Sequence, residues 1–161
     1  LTEEGSKRSR EKLGVVTTLD NRQVVKNAKT IILAVKPQFY QEVIEEVRAD
    51  LTPEHMVIGI APGKSLDWIQ EICQTSLKVA RLMPNTPAQV GEGMTGVCRN
   101  ELVTDDDLEQ VLKITDSFGK TQVVPERLMD AVGAVSGCSP AYVFIFIEAM
   151  ADAAVAQGLP R

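Results

Sequence analysis

Three short apolar runs, each stopped by a proline-containing loop, constrain the fold of this chain most strongly. The runs cover residues 30–35, 56–61 and 78–83, and the loops that follow them are Lys36-Pro37-Gln38, Pro62-Gly63-Lys64 and Pro84-Asn85-Thr86-Pro87. Proline has no N–H for a β-sheet ladder and fixes φ, so each strand must end there. Because a helical stretch separates each run from the next, the pattern predicts an α/β fold with a parallel sheet.

The three loops are expected to lie at one edge of this sheet. The carboxyl ends of parallel strands meet at the same edge, and open α/β sheets bind their ligands there. We therefore expect Lys36, Gly63 and Asn85 to lie close together, and we place the functional site at this edge.

Composition narrows the classes of protein and of site. The chain has 161 residues and a net charge of −5, which argues against a nucleic-acid partner. Its three cysteines form no C-x-x-C pair, which favours a reducing cytosol, and the single histidine, His55, argues against histidine metal sites and Ser-His triads. The longest apolar run, residues 141–147, is shorter than a membrane span, so we expect no membrane partner.

Apolar spacing and capping residues predict the remaining elements. Residues 38–50 carry apolar side chains at helical spacing, Ser65 caps the next helix, and Thr104 with Asp107 begins another like a capping box. Ser139 and Pro140 are typical of an N-cap and first residue. We expect helices at 2–13, 22–28, 38–50, 65–73, 105–118, 128–135 and 141–157, and strands at 15–18, 30–35, 56–61, 78–83, 95–98 and 121–124.

The last predicted helix, 141–157, is apolar on nearly every face, with Glu148 and Asp152 as its only charges. Such a helix must be covered on every face. Too few residues follow Pro125 to cover it, so we expect missing helices, a partner subunit, or both. The chain starts at Leu1 rather than Met and ends at a helix stop, from which we expect a fragment.

The order of three motifs resembles a known family. Together they resemble pyrroline-5-carboxylate reductase, the NAD(P)H enzyme of the last step of proline synthesis, over essentially the whole chain. The motifs are Ala34-Val35-Lys36-Pro37, Met83-Pro84-Asn85-Thr86-Pro87 and Val135-Ser136-Gly137-Cys138-Ser139-Pro140-Ala141-Tyr142. The resemblance implies a Rossmann-type, mostly parallel sheet at 1–124, followed at 125–161 by the start of an all-helical dimerisation and substrate domain.

The resemblance also implies two motifs that are missing from their family positions in this sequence. The family opens with a Gly-x-Gly-x-x-Gly turn for the cofactor pyrophosphate and carries a downstream Gly-Gly-Thr loop that binds the substrate. No Gly-Gly-Thr occurs in this sequence, and no Gly-x-Gly-x-x-Gly turn opens it. That glycine spacing does occur at residues 91–96, but there it leads into the strand expected at 95–98 rather than into a helix. We therefore expect the central part of the enzyme, inactive on its own, and we assign no catalytic residue and no metal ligand.

The resemblance further implies which residues bind the cofactor, NADP or alternatively NAD. Asn21 would contact the adenosine end and Asn85 the nicotinamide; the loop usually written Ala-Ala-Gly departs here at Pro62, which removes one backbone donor. Plain structural roles remain open: a helix N-cap, at either Asp20 or Asn21, a solvated lysine at Lys36 and a proline-stabilised turn around Asn85. The cofactor candidates are Asn21, Ala34, Val35, Lys36, Pro37, Ala61, Pro62, Gly63 and Asn85.

The substrate candidates are Glu126, Thr86 and Ser136. Glu126 aligns with a family glutamate near the substrate, the alternative being an exposed carboxylate after a strand. For Glu148 and Asp152 a structural role is favoured over acid–base chemistry. Three basic side chains of the first helix either reach a cofactor 2′-phosphate or form a solvated face; they are Lys7, Arg8 and Arg10.

The implied reaction is hydride transfer from the cofactor to the C=N carbon of a cyclic imino acid. The imine nitrogen is readily protonated, so the protein mainly positions the two reactants. The implied protein is a cytoplasmic homodimer or larger homo-oligomer. Two alternatives remain: another Rossmann-type reductase with a helical dimerisation domain, such as a hydroxyacid dehydrogenase, or a non-catalytic oligomerising module. The first usually needs a lysine in the interdomain helix, and residues 141–157 contain none.

Overall fold

A computed structural model describes residues 2–161, which form two compact units. The first unit takes the chain up to Ala80 together with Asn100–Leu102, and the second comprises Arg81–Arg99 and Val103–Arg161. The predicted boundary between residues 124 and 125 stays a prediction.

The chain forms five strands and seven α-helices within the described residues 2–161. The strands are hydrogen-bonded in chain order, and the pairs β1–β2 and β4–β5 are parallel, which confirms the α/β prediction. The elements are α1 Glu3–Leu13, α2 Asn21–Asn27, β1 Thr30–Leu33, α3 Tyr40–Val47, β2 Met56–Gly59, α4 Leu66–Cys73, β3 Lys78–Met83, β4 Gly93–Arg99, α5 Asp105–Asp116, β5 Gly119–Val123, α6 Met129–Val132 and α7 Ser139–Ala156.

Helix α3 contributes one face to the core of the first unit. Its side chains Tyr40, Ile44 and Val47 are buried, as the apolar spacing predicts. The helix is shorter than expected because its two ends tighten into 3₁₀ turns, Pro37–Phe39 and Arg48–Asp50.

Capping residues set the starts of two further helices as predicted. Ser65 Oγ accepts a hydrogen bond from Trp68 N–H at 3.0 Å at the start of α4. Thr104 Oγ1 accepts from Asp107 N–H at 3.2 Å, and Thr104 N–H donates to Asp107 Oδ2 at 3.0 Å at the start of α5. Each pair satisfies N–H groups that a helix start leaves without a partner.

Two predictions for the first unit are wrong. Residues 15–18 form no strand: Val16 is fully exposed, and the Arg10 guanidinium donates to Thr17 Oγ1 at 3.0 Å. The apolar run at 30–35, which shows no alternation, predicts a strand buried on both faces, but Ile32 is 43% exposed between the buried Ile31 and Leu33. Side chains alternate along a strand, and here one of the two faces is open.

The helical segment after β5 is continuous where a break was expected. A 3₁₀ turn (Glu126–Leu128) leads into α6, and a π-helical turn (Gly133–Gly137) joins α6 to α7. Cys138 N–H donates to the Gly133 carbonyl at 3.0 Å, so the predicted break at residues 136–138 is wrong. The predicted N-cap role of Ser139 is wrong as well, because the chain enters α7 from a residue already in helical conformation and Ser139 is its first residue.

Helix α7 exposes its apolar side chains. Phe144, Ile145 and Phe146 are each more than 60% exposed, and no residue of α7 is buried. By length and composition the 31-residue helical segment Glu126–Ala156 is also apolar enough to cross a bilayer. The short run at 141–147 is therefore no argument against a membrane.

Candidate functional site

Two of the three predicted loops leave the same edge of the sheet. Strands β1 and β2 are parallel, with Leu33 opposite Gly59, so residues 34–37 and 61–63 follow at the same end. Ala34, Val35 and Lys36 are exposed there, and Pro37 begins a 3₁₀ turn. The expected proximity of Asn85 to these loops stays a prediction.

A buried hydroxyl fastens the two strand ends. Tyr40 Oη donates to the Leu33 carbonyl at 2.6 Å and accepts from the N–H groups of Ile60 at 2.9 Å and Ala61 at 3.0 Å. Burial raises the pKa of Tyr40, and the two amide donors oppose this shift. The helical spacing of apolar side chains at 38–50 identifies Tyr40 only as an apolar position, although a tyrosine on a buried face needs a partner for its hydroxyl.

The loop after β2 combines a buried and two exposed residues. Ala61 is 6% exposed, whereas Pro62 and Gly63 are exposed. Gly63 has φ +71°, a left-handed conformation that favours glycine. Lys64 Nζ lies 4.0 Å from the centroid of the Trp68 ring, a cation–π contact that holds this lysine beside the loop.

Asn21 lies at the first residue of α2 and is not its N-cap. The N-cap is Asp20, whose Oδ1 accepts from Arg22 N–H at 2.9 Å, so the N-cap alternative for Asn21 is wrong. The Asn21 amide instead donates to Glu46 Oε2 at 2.8 Å on the surface. An exposed bond of this kind exchanges readily for a ligand, so the adenosine role stays a prediction.

In the second unit the structure brings Asn85 and Ser136 together. Asn85 Nδ2 donates to the Ser136 carbonyl at 3.2 Å and to its Oγ at 3.3 Å, and Asn85 Oδ1 accepts from Met94 N–H at 2.9 Å. Both ends of the Asn85 amide thus tie the loop after β3 to β4 and to the π-helical turn. Thr86 is exposed at the start of a 3₁₀ turn, Thr86–Val90.

Glu126 pairs with an arginine that sequence analysis missed. Arg81 Nη1 lies 2.6 Å from Glu126 Oε1, and the Arg81 side chain is 6% exposed against 33% for Glu126. Burial raises the pKa of the neighbouring Cys98 thiol to about 11, although the Arg81 charge opposes the shift. A charged residue inside an apolar strand needs a partner, and this was the signal available for Arg81.

The charged pair on α7 has a simple structural setting. Arg161 lies 3.2 Å from Asp152 and 4.0 Å from Glu148, and all three side chains are exposed. Within residues 2–161 the structure contains no cluster of three metal-ligating side chains. Neither observation assigns a catalytic residue.

Comparison with protein families gives two matches. Residues 126–161 match the pyrroline-5-carboxylate reductase dimerisation family, and residues 2–63 match the family described as NADP oxidoreductase, coenzyme F420-dependent. The second match covers both loops at the β1–β2 edge.

Curated and solved relatives resemble the chain over most of its length. The pyrroline-5-carboxylate reductase of Escherichia coli is 43% identical over 94% of this chain and 56% of its own length. A structure from Coxiella burnetii has a TM-score of 0.91 at 35% identity, over 99% of this chain and 60% of that one. The Plasmodium falciparum structure, with NADP bound, has a TM-score of 0.84 at 34% identity, over 89% and 54%.

These comparisons confirm two predictions: the family resemblance inferred from the three motifs, and the Rossmann-type fold. The chain spans little more than half the length of the curated relatives that it matches.

Proposed function

We propose that this chain is the central part of a pyrroline-5-carboxylate reductase, which reduces 1-pyrroline-5-carboxylate to L-proline with NAD(P)H. The observation that carries the proposal is the parallel register of β1 and β2, with Leu33 opposite Gly59. It brings two family-like loops to one edge, where open α/β sheets bind nucleotides.

The residues at this edge fit a dinucleotide. Lys36 offers an exposed cation at the end of β1, and the exposed Pro62-Gly63 turn allows close approach of a ligand to the backbone. We propose NADP as the cofactor, with NAD as the alternative. The cofactor residues are those proposed from the sequence: Asn21, Ala34, Val35, Lys36, Pro37, Ala61, Pro62, Gly63 and Asn85.

The reaction asks the protein mainly for positioning. When bound, the nicotinamide supplies a hydride to the imine carbon of the substrate. The imine nitrogen of the substrate ring carries the proton, so that C=N becomes CH–NH. Glu126, Thr86 and Ser136 are proposed to lie near the substrate. Asn85 orients Ser136, and Arg81 orients Glu126, through the hydrogen bonds described above.

A second copy of the chain is the proposed cover for α7. The match of residues 126–161 to a dimerisation family supports this, and so does the exposure of Phe144, Ile145 and Phe146. The proposed location is the cytosol, where the free thiols of Cys73, Cys98 and Cys138 would stay reduced.

Turnover of the cyclic imine tests the proposal. The complete protein should oxidise NADPH when 1-pyrroline-5-carboxylate is added, which is measured as loss of NADPH absorbance. It should not do so with an open-chain 2-oxo acid. Repeating the assay with NADH decides between the two cofactors. A rate no higher than the blank with either cofactor would refute the assignment.

A further inference from the structure

The Tyr40 hydroxyl contacts the carboxyl ends of both β1 and β2. It donates to the Leu33 carbonyl at 2.6 Å and accepts from Ile60 N–H at 2.9 Å and Ala61 N–H at 3.0 Å. A phenolic oxygen has one hydrogen to donate and two lone pairs, so its bonding capacity is filled. The side chain is fully buried and its ring packs beside Gly59.

These bonds decide which backbone donors the loop after β2 offers to a ligand. The N–H groups of Ile60 and Ala61 are used by Tyr40. Pro62 has no N–H. The first residue whose N–H is neither bound by Tyr40 nor removed by proline is Gly63, which is exposed with φ +71°.

We propose that Tyr40 is a positioning residue for the cofactor: its hydroxyl fixes the spacing of loops 34–37 and 61–63 and makes Gly63 the backbone donor of the second loop. The inference rests on the proposed function, because it assumes that a dinucleotide binds at this edge. A ligand that contacts both loops binds more tightly when their spacing is set beforehand, since less ordering is required on binding.

The substitution Tyr40→Phe tests this in the complete protein, because it keeps the ring and removes three hydrogen bonds. The matched control is Ile44→Val, which removes one methylene group from the same buried face of α3 and leaves every hydrogen bond in place. For both variants we would measure the Kd of NADPH by fluorescence titration, KM and kcat, the thermal midpoint, and amide hydrogen exchange at Ile60 and Ala61.

For Tyr40→Phe we expect the Kd and KM for NADPH to rise roughly tenfold, because binding must then order the two loops, with kcat unchanged within error. Amide exchange at Ile60 and Ala61 should become at least about tenfold faster, because their acceptor is gone. Ile44→Val should lower the thermal midpoint and leave the Kd of NADPH as in the wild type.

Three results would overturn the inference. The first is wild-type affinity for NADPH in Tyr40→Phe, and the second is an equal loss of affinity in Ile44→Val. The third needs no variant: amides of Ile60 and Ala61 that exchange as fast as that of Gly63 in the wild type. A wild type that neither binds NADPH nor reduces the imine refutes the proposed function instead, and exchange at Ile60 and Ala61 then decides alone whether Tyr40 holds the loops.

Discussion

At the scale of single residues, the Arg81–Glu126 pair joins strand β3 to the start of the helical segment. We expect Glu126→Gln to lower the free energy of unfolding by about 1–3 kcal/mol, because it leaves the charge of the buried Arg81 without its carboxylate. Urea denaturation measures this. The control is Glu54→Gln, which removes an exposed pair with Lys29 and should change stability very little. Equal losses of stability in both variants would contradict a stabilising role for the Arg81–Glu126 pair.

The two buried thiols predict a loss of stability at alkaline pH. Burial raises the pKa of Cys73 and of Cys98 from 9.0 to about 11. Between these values the unfolded chain loses its thiol protons before the folded chain does. The contribution of the protonated thiols to the free energy of unfolding is therefore complete below about pH 9 and is lost as the pH rises through about 11.

Urea denaturation at several pH values measures this loss. Cys73→Ala and Cys98→Ala should each make stability fall less steeply over that window, whereas Cys138→Ala, at an exposed thiol, should not. Tyr40, whose pKa burial also raises, adds a loss in the same direction that all three variants share. A slope unchanged by both buried-site variants would refute the explanation.

Residue identities predicted the positions of two loops better than they predicted the hydrogen bonds of nearby side chains. The loops at Lys36 and Gly63 followed from two prolines, because a missing N–H ends a strand wherever it occurs. The bonds of Tyr40 and Arg81 depend on groups far along the chain, Ala61 and Glu126, and no local spacing contains that information.

At the scale of elements, the pairing of β4 with β5 depends on Gly119. It lies opposite Gly93 and has φ +156°, and a side-chain carbon built on it would overlap the Gly93 backbone. We expect Gly119→Ala to lower the free energy of unfolding, measured by urea denaturation, by about 3 kcal/mol or more, since backbone strain and steric overlap add. Gly14→Ala is the control: φ is +65° with nothing nearby, so only about 1 kcal/mol of left-handed strain is expected. A Gly119→Ala protein as stable as the control would contradict this packing.

The elements that sequence analysis predicted well are those with local signals. Helix α5 carries its capping box within four residues, and α3 its apolar face within eight. The strand expected at residues 15–18 failed because a β-strand needs a neighbour, which composition does not supply. The break expected at residues 136–138 failed because two glycines and a serine also fit a π-helical turn.

At the scale of the whole molecule, the apolar surface of α7 needs a cover that residues 2–161 do not provide. Exposed apolar area of this extent marks an interface with protein or lipid. The missing polar face of the sequence at 141–157 predicts that the helix needs a cover, but it does not identify that cover. The candidates are a second copy, further helices of a longer chain, and a bilayer.

Sedimentation in detergent-free buffer separates these candidates. If a second copy covers α7, the protein should sediment as a dimer or larger species, and Phe146→Glu should shift it toward monomer because a buried carboxylate has no partner at an apolar interface. Val16→Glu is the matched control, since Val16 is fully exposed and lies outside the helical segment. Monomers of the complete protein in buffer would favour cover by further helices of a longer chain. Recovery of non-aggregated protein only with detergent or lipid vesicles would favour the bilayer. Monomers in buffer, or such dependence on detergent or lipid, would refute the dimer.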